Sequence, residues 1–152
     1  MPNKLPILIL QYAIQGHVRR TEHWSIAVIT DTRSSSARIF EMKGNTDSFA
    51  FGAKDVHNIA ASSSYCGGVQ IGEIDVKELE NLETWLKCIA IRHNDPQWDC
   101  QDWVMDALRE LKMDNRGVVF DDMTERYIRK EMNVEKERDE MGQDTVHDRL
   151  KM

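Results

Sequence analysis

The chain has few cysteines and no paired cysteine motif. Cys66, Cys88 and Cys100 are odd in number and widely spaced, and no C-x-x-C occurs among the 152 residues. This scarcity excludes a disulfide framework and a zinc knuckle. A chain with so few, scattered thiols is typical of a reducing compartment, so we expect a cytoplasmic location.

Long apolar runs and an excess of basic charge are also missing. No stretch approaches the roughly eighteen apolar residues that a membrane-spanning helix needs, and the apolar run at 5–10 lacks the small-residue cleavage pattern of a signal peptide. The formal net charge is -6, whereas a nucleic-acid surface needs a basic stripe. We therefore expect no membrane span, no signal peptide and no nucleic-acid partner.

What is present is the composition of one globular α+β domain. Hydrophobic residues make up 41% of the chain and charged residues 30%, and the length suffices for a real core. We expect a catalytic α+β domain over residues 1–120 and a charged C-terminal helical extension of the same domain over residues 121–152. The extension is expected to form one docked helix and a fraying tail, with a solvated face.

Hydrophobic patterning predicts a small antiparallel sheet packed by helices. The strands are predicted at residues 5–14, 23–30, 37–43 and 69–74, with a short one near 49–51. One helix is predicted from the Asp75 cap to about His93, and another from Asp99 or Cys100 to about Lys112. Residues 118–120 are expected to form a terminal strand or a packing loop. The strand at 23–30 is apolar on both faces, so it should be central in the sheet.

Cys100 is the first candidate for chemistry, because it lies where a turn gives way to an amphipathic helix. The unpaired N–H groups and the dipole at a helix N-terminus favour a thiolate, which is a nucleophile. The alternative is a buried structural cysteine. Cys100, Trp103, Val104 and Ala107 follow the spacing of a core-facing stripe, which favours that alternative on periodicity alone.

A thiol nucleophile needs a base, and His23 has the most suitable setting for one. It begins the central strand, whereas His17 and His57 fall in polar loops, His93 closes a helix face and His147 falls in the tail.

Glu41 is the candidate to orient that base. A turn centred on Thr32 would place Glu41 opposite His23 on the same face of a hairpin, where pairing would relieve the cost of a buried charge. A longer turn would move the pairing toward Lys43, and Glu41 as a solvated strand-end residue is the other alternative.

Two motifs together resemble a known group of cysteine enzymes. The segment Glu22-His23-Trp24-Ser25-Ile26-Ala27-Val28, followed by Trp98-Asp99-Cys100-Gln101-Asp102-Trp103-Val104, is similar to the lecithin:retinol acyltransferase-like branch of the permuted papain-like, NlpC-type enzymes. The likeness covers about residues 20–112. It implies a permuted papain-like fold with Cys100 as nucleophile, His23 as general base and Glu41 at the third polar position, commonly a histidine. The chain departs from the group at Asp99, where asparagine is usual.

These expectations combine into a thiol-dependent hydrolase or acyltransferase, or an acyl-driven cyclase, with a Cys-His-Glu triad. The reaction would use a small-molecule or acyl substrate, an ester, thioester or amide, and would pass through a thioacyl-enzyme without a cofactor or metal. His93 with Cys88 or Cys100 matches no usual metal-ligand spacing.

Four aromatic residues are candidates for substrate binding: Trp24, Trp98, Trp103 and Tyr12. The tryptophans would wall an acyl pocket, with core packing as the alternative, and Tyr12 would donate to an oxyanion or serve as a partly buried strand tyrosine. Two rival functions are a catalytically inactive relative that acts as a binding module, and a structural adaptor that uses the charged C-terminal helix.

Overall fold

The chain folds as α+β in a computed structural model that describes residues 3–13, 22–62, 64–114 and 118–140. Within these ranges there are five strands and three α-helices. The strands are β1 (Lys4–Ala13), β2 (Glu22–Asp31), β3 (Ser36–Lys43), β4 (Ala50–Val56) and β5 (Tyr65–Asp75). The helices are α1 (Leu79–Lys87), α2 (Cys100–Met113) and α3 (Glu125–Glu140), and short 3-10 turns span Ile59–Ala61 and Val76–Glu78.

The strands form one antiparallel sheet in the order β4-β3-β2-β1-β5. The predicted central position of β2 is confirmed. Its residues from 24 to 29 are all buried, as expected for an interior strand with side chains covered on both faces.

The two faces of the sheet have different cores. One face packs against the helices, so that Ile26 of β2 shares a hydrophobic cluster with Trp103 and Val104 of α2. The opposite face carries a smaller cluster built from strand residues and Ile59. Side chains alternate between the faces along a strand, so His23 and Trp24 point to different sides of the sheet.

Three predicted elements have different lengths in the structure. The strand expected at 69–74 begins four residues earlier and is the eleven-residue β5, Tyr65–Asp75. The short strand expected near 49–51 is the seven-residue β4, Ala50–Val56. The helix expected to reach His93 ends at Lys87, after which the Cys88 N–H bonds back to Leu86 and Trp85 carbonyls and closes the last turn. The chain then meets the β3–β4 connection, where His93 Nε2 lies 2.7 Å from the Phe49 carbonyl oxygen.

The segment at 118–120 takes the form of a single bridge beside β5. Val119 pairs with Gly72, and the Phe120 N–H donates to the Ile71 carbonyl at 2.7 Å. A Cβ on Gly72 would lie 1.8 Å from the Val118 carbonyl oxygen. The close approach of this segment to the sheet therefore requires glycine at position 72.

The predicted C-terminal helix is docked on the same core. Ile128 and Met132 of α3 are buried with Met123, and α3 contacts β5. Residues 141–152, which include His147 of the predicted tail, lie outside the described residues, as does His17. None of the helices in the described ranges combines the length and apolar character needed to cross a bilayer.

Candidate active site

Cys100 is the first residue of α2, and a capping box fixes the turn around it. The Asp99 carboxylate accepts hydrogen bonds from the N–H groups of Gln101 and Asp102, at 3.0 and 3.4 Å. In return, the Asp102 carboxylate accepts from the Asp99 N–H at 2.9 Å. Both carboxylates next to the thiol are thus directed at backbone amides, which is how an N-cap satisfies the first donors of a helix.

Contacts of Gln101 bring the start of α2 to the start of β2. The Gln101 side chain donates from Nε2 to the Glu22 carbonyl oxygen at 2.9 Å. Since Glu22 precedes His23 and Gln101 follows Cys100, this one bond holds the imidazole and the thiol at the same end of the sheet. The Cys100 side chain is 6% exposed, and it lies close enough to His23 to raise the pKa of that imidazole.

Helix α3 also contacts the place where the start of α2 meets the start of β2. Arg129 donates from Nη1 to Gln101 Oε1 at 2.9 Å, and its guanidinium lies 5.0 Å from the centre of the Trp24 ring. Lys136 of the same helix pairs with Glu22 at 2.6 Å. The predicted charged extension therefore touches residues adjacent to both the thiol and the imidazole.

His23 and Glu41 form the most direct polar contact of the site. His23 Nε2 lies 2.9 Å from Glu41 Oε1, and the two side chains are 23% and 11% exposed. The second carboxylate oxygen of Glu41 lies 3.2 Å from Lys54 Nζ. Glu41 is therefore held between an imidazole and an ammonium group.

The register that suggested this contact was wrong by two residues. Ile26 pairs with Phe40, so the same register, extended along the hairpin, puts residue 43 rather than residue 41 opposite His23. The turn is longer than predicted, because Ser36 pairs with Asp31 after an irregularity in β2. A shift of two residues keeps a side chain on its face, which is why Glu41 still reaches His23 as a diagonal neighbour.

The partners of His23 favour its charged form. Burial lowers the pKa of His23, but the hydrogen bonds with Cys100 and Glu41, together with the charges of these groups, outweigh burial and raise the pKa to about 9. Burial raises the pKa of Glu41, but the hydrogen bond and charge of His23, with the charge of Lys54, bring it below its ordinary value. The surroundings of this pair thus favour a charged imidazolium beside a charged carboxylate.

A cavity of about 460 Å³ lies beside His23 and Glu41, on the face of the sheet away from the helices. His23 and Glu41 form part of its wall, and so does Tyr12, one of the predicted substrate-binding residues. Burial, and then the charges of Glu41 and Cys66, raise the pKa of Tyr12 to about 12. The Tyr12 hydroxyl is therefore protonated and able to donate at neutral pH.

The three predicted tryptophans lie elsewhere. Trp24, Trp98 and Trp103 are buried in the core on the helix side, and the cavity lining contains none of them. Trp98 Nε1 donates to Asp106 Oδ2 at 3.0 Å, and its ring packs edge-on against Phe49. In the structure these three rings pack in the core, as in the alternative considered from the sequence. Their role as walls of a substrate pocket stays a prediction.

Sequence reasoning missed Lys54, Gln101 and Arg129 as members of the site. Lys54 lies on β4, of which only the first residues were predicted, and the other two act through contacts across long stretches of chain. Within the described ranges, no three His, Cys, Asp or Glu side chains are grouped as metal ligands would be.

A thiol, an imidazole and a carboxylate are thus grouped at one end of an α+β sheet. The profile of a family of unknown function, DUF6540, matches residues 10–117, and the chain belongs to that family. The match ends before α3, so Arg129, which donates a hydrogen bond to Gln101, lies outside the matched residues. No curated protein and no solved structure matches the chain.

Proposed function

We propose that the protein is a thiol-dependent hydrolase or acyltransferase that uses Cys100, His23 and Glu41 as a catalytic triad. The observations that carry the proposal are that His23 Nε2 lies 2.9 Å from Glu41 Oε1 and that Cys100, at the start of α2, is close enough to His23 to raise the pKa of its imidazole. A nucleophile, a base and an orienting carboxylate in contact are the parts that acyl transfer through a covalent intermediate requires.

In the proposed reaction, the Cys100 thiolate attacks the carbonyl carbon of an ester, thioester or amide. A carbon–sulfur bond forms, the bond to the leaving group breaks, and His23 gives its proton to that group. His23 then takes a proton from water or from a second nucleophile, which attacks the thioester and releases the thiolate. Cyclisation would follow if the attacking group belonged to the acyl chain itself.

The oxyanion of the tetrahedral intermediate needs a backbone donor. The capping box already uses the N–H groups of Gln101 and Asp102. We therefore assign this role to the Cys100 N–H, at the positive end of the α2 dipole. Tyr12, across the cavity wall, is the second candidate donor.

A permuted papain-like arrangement belongs to the same proposal. In its support, the His strand precedes the Cys helix in the chain, and α2 packs against β2 and β3 of an antiparallel sheet. Two further parts of the proposal are a small-molecule or acyl substrate and a cytoplasmic location. The second is supported by the small, odd number and wide spacing of the cysteines in the sequence.

Alkylation with iodoacetamide across pH tests the triad. An activated Cys100 should be modified well below pH 8.5, the ordinary pKa of a thiol. Exposed Cys88 and buried Cys66 are internal references for accessibility in the same peptide digest. The His23→Ala variant should remove the reaction of Cys100 at low pH, and Cys100→Ala should abolish turnover while the fold is retained.

A second candidate function is a binding module without catalysis. It is favoured by the burial of Cys100, which is 6% exposed and does not form part of the cavity wall. Under this alternative, Cys100 would be alkylated no faster than Cys66, and His23→Ala would leave its rate unchanged. That outcome would exclude the triad.

A further inference from the structure

The cavity beside His23 is lined by both apolar and polar residues, and this combination indicates the chemical class of ligand that it would bind. Its volume of about 460 Å³ lies within the usual range for small-molecule sites. Three apolar residues of the lining, here called the apolar floor, are Ile39, Val56 and Ile59, of which Ile39 and Ile59 are buried and Val56 is half-buried. Volume alone does not distinguish a short polar group from a longer alkyl chain. The choice between these two classes of ligand therefore depends on the polar residues of the lining.

The lining also contains polar residues. Besides His23 and Glu41, these include Tyr12, His57, Asn58, Ser62 and Ser64. The two serine hydroxyls lie 3.0 Å apart, and each hydroxyl keeps further donor or acceptor capacity. An alkyl chain in this cavity would displace water from these groups without replacing its hydrogen bonds, which is costly.

Lys54 adds a cationic group at the same wall. Its ammonium contacts Glu41 at 3.2 Å, and its side chain is 59% exposed. An ammonium has three donors, and the contact with Glu41 uses one of them. The cavity thus offers donors from Lys54 and Tyr12 and hydroxyl groups from the two serines around a small apolar floor.

We propose that this cavity binds the acyl part of the substrate, and that this part is a short acyl group bearing a hydroxyl or an amide rather than a long alkyl chain. The inference rests on the proposed function and names its substrate class. The floor accepts the few carbons of such a group, while the wall supplies partners for its polar substituent.

Two N-acetylcysteamine thioesters of nearly equal size test the polar preference. The glycolyl thioester carries a hydroxyl where the propionyl thioester carries a methyl group, and the dodecanoyl thioester represents a long chain. We expect kcat/KM to be about tenfold higher for glycolyl than for propionyl, which is the effect of one good hydrogen bond, and lowest for dodecanoyl. The products are measured by chromatography of the released thiol.

Two neighbouring alanines give a matched pair of variants that test the location. Ala61 forms part of the cavity wall, whereas Ala60 does not, and both are exposed. Ala61→Trp should occlude the cavity and lower kcat/KM for the glycolyl thioester, mainly through a higher KM. Ala60→Trp adds the same bulk beside the cavity and should leave kcat/KM unchanged.

Iodoacetamide separates the two possible failures, because it is small and does not need the acyl site. Loss of low-pH alkylation at Cys100 in the unmodified protein would overturn the proposed function itself. If Cys100 is alkylated normally, the cavity inference is overturned by any of three results. These are a kcat/KM for glycolyl no higher than that for propionyl, the highest kcat/KM with dodecanoyl, and equal effects of the two tryptophan variants. No turnover of any of the three thioesters would count against the proposed function instead.

Discussion

The pair of His23 and Glu41 makes the stability of the protein depend on pH in a defined window. Replacement of Glu41 by glutamine keeps the shape of the side chain and removes its charge. The rise in the pKa of His23 from 6.5 to about 9 corresponds to ~3 kcal/mol of preference for the imidazolium. Cys100 and Glu41 both contribute to this preference. We therefore expect Glu41→Gln to lower the free energy of unfolding by about 2 kcal/mol at a pH where His23 and Glu41 are both charged, which is within the range for a charged hydrogen bond.

The direction in which stability changes with pH follows from the shifts in the pKa values of His23 and Glu41. The folded protein holds the His23 proton more tightly than the unfolded chain, so this contribution is full below pH 6.5 and is lost as the pH rises through about 9. The pKa of Glu41 is lowered from 4.5 in the folded protein, so its contribution is lost on acidification. The cost of Glu41→Gln should therefore be largest between pH 4.5 and 6.5.

Urea denaturation followed by tryptophan fluorescence measures this cost, since Trp24, Trp98 and Trp103 are buried. Above pH 9 the difference between the variant and the unmodified protein should fall to a few tenths of a kcal/mol, because the exposed Lys54 contact with Glu41 contributes little. A cost of Glu41→Gln that is equal at pH 6 and pH 9.5 would refute the reasoning.

Glu83 provides the matched control. It pairs with Arg38 at 2.8 Å, and a guanidinium stays protonated throughout this range. The cost of Glu83→Gln should therefore not decline between pH 6.5 and pH 9.5. If it declines in parallel with Glu41→Gln, the pH dependence arises from another part of the molecule.

Three further predictions concern the elements that hold the site. Asp99→Ala should destabilise the protein by about 1 kcal/mol through loss of the cap and slow the alkylation of Cys100; Asp99→Asn, which can still cap, should restore both, and equal effects of the two variants would contradict the capping role. Gly72→Ala should cost about 2 kcal/mol or more in urea denaturation, because its new Cβ meets a backbone carbonyl, whereas Gly52→Ala meets a flexible lysine side chain and should cost less. Arg129→Met should slow the alkylation of Cys100 at constant pH with little change in circular dichroism; an unchanged rate would show that the contact of Arg129 with Gln101 does not support the site.

The strands were the most predictable part of the fold. Buried interior strands such as β2 carry a continuous apolar run, which is a strong local signal. The edge strand β4 was only partly predicted, since Gly52, Lys54 and Asp55 have weak strand preference. The overlong prediction for α1 has a different cause: Ile89 continues the apolar stripe and is buried, but it lies beyond the end of the helix. Burial at helical spacing does not by itself require a helix.

The candidate site was predictable where its signals were local. The cap at Asp99 and the helix start at Cys100 follow from neighbouring residues. The contact of His23 with Glu41 was predicted despite the error in strand register, because a shift of two residues leaves a side chain on the same face of the sheet. The contacts of Lys54 and Arg129 were not predictable, because they depend on which strand forms the edge of the sheet and where α3 docks. A single sequence contains no local signal for either choice.

The placement of the site at the end of the sheet follows from the alternation of side chains in β2. His23 belongs to the face away from the helices, whereas Cys100 starts a helix that packs on the other face. A thiol and an imidazole on opposite faces cannot meet through the middle of a sheet, but they can meet where a strand begins. His23 is the second residue of β2 and Cys100 the first of α2, so both lie at such an edge. The bond from Gln101 to the Glu22 carbonyl therefore connects the two faces at the point where the proposed proton transfer would occur.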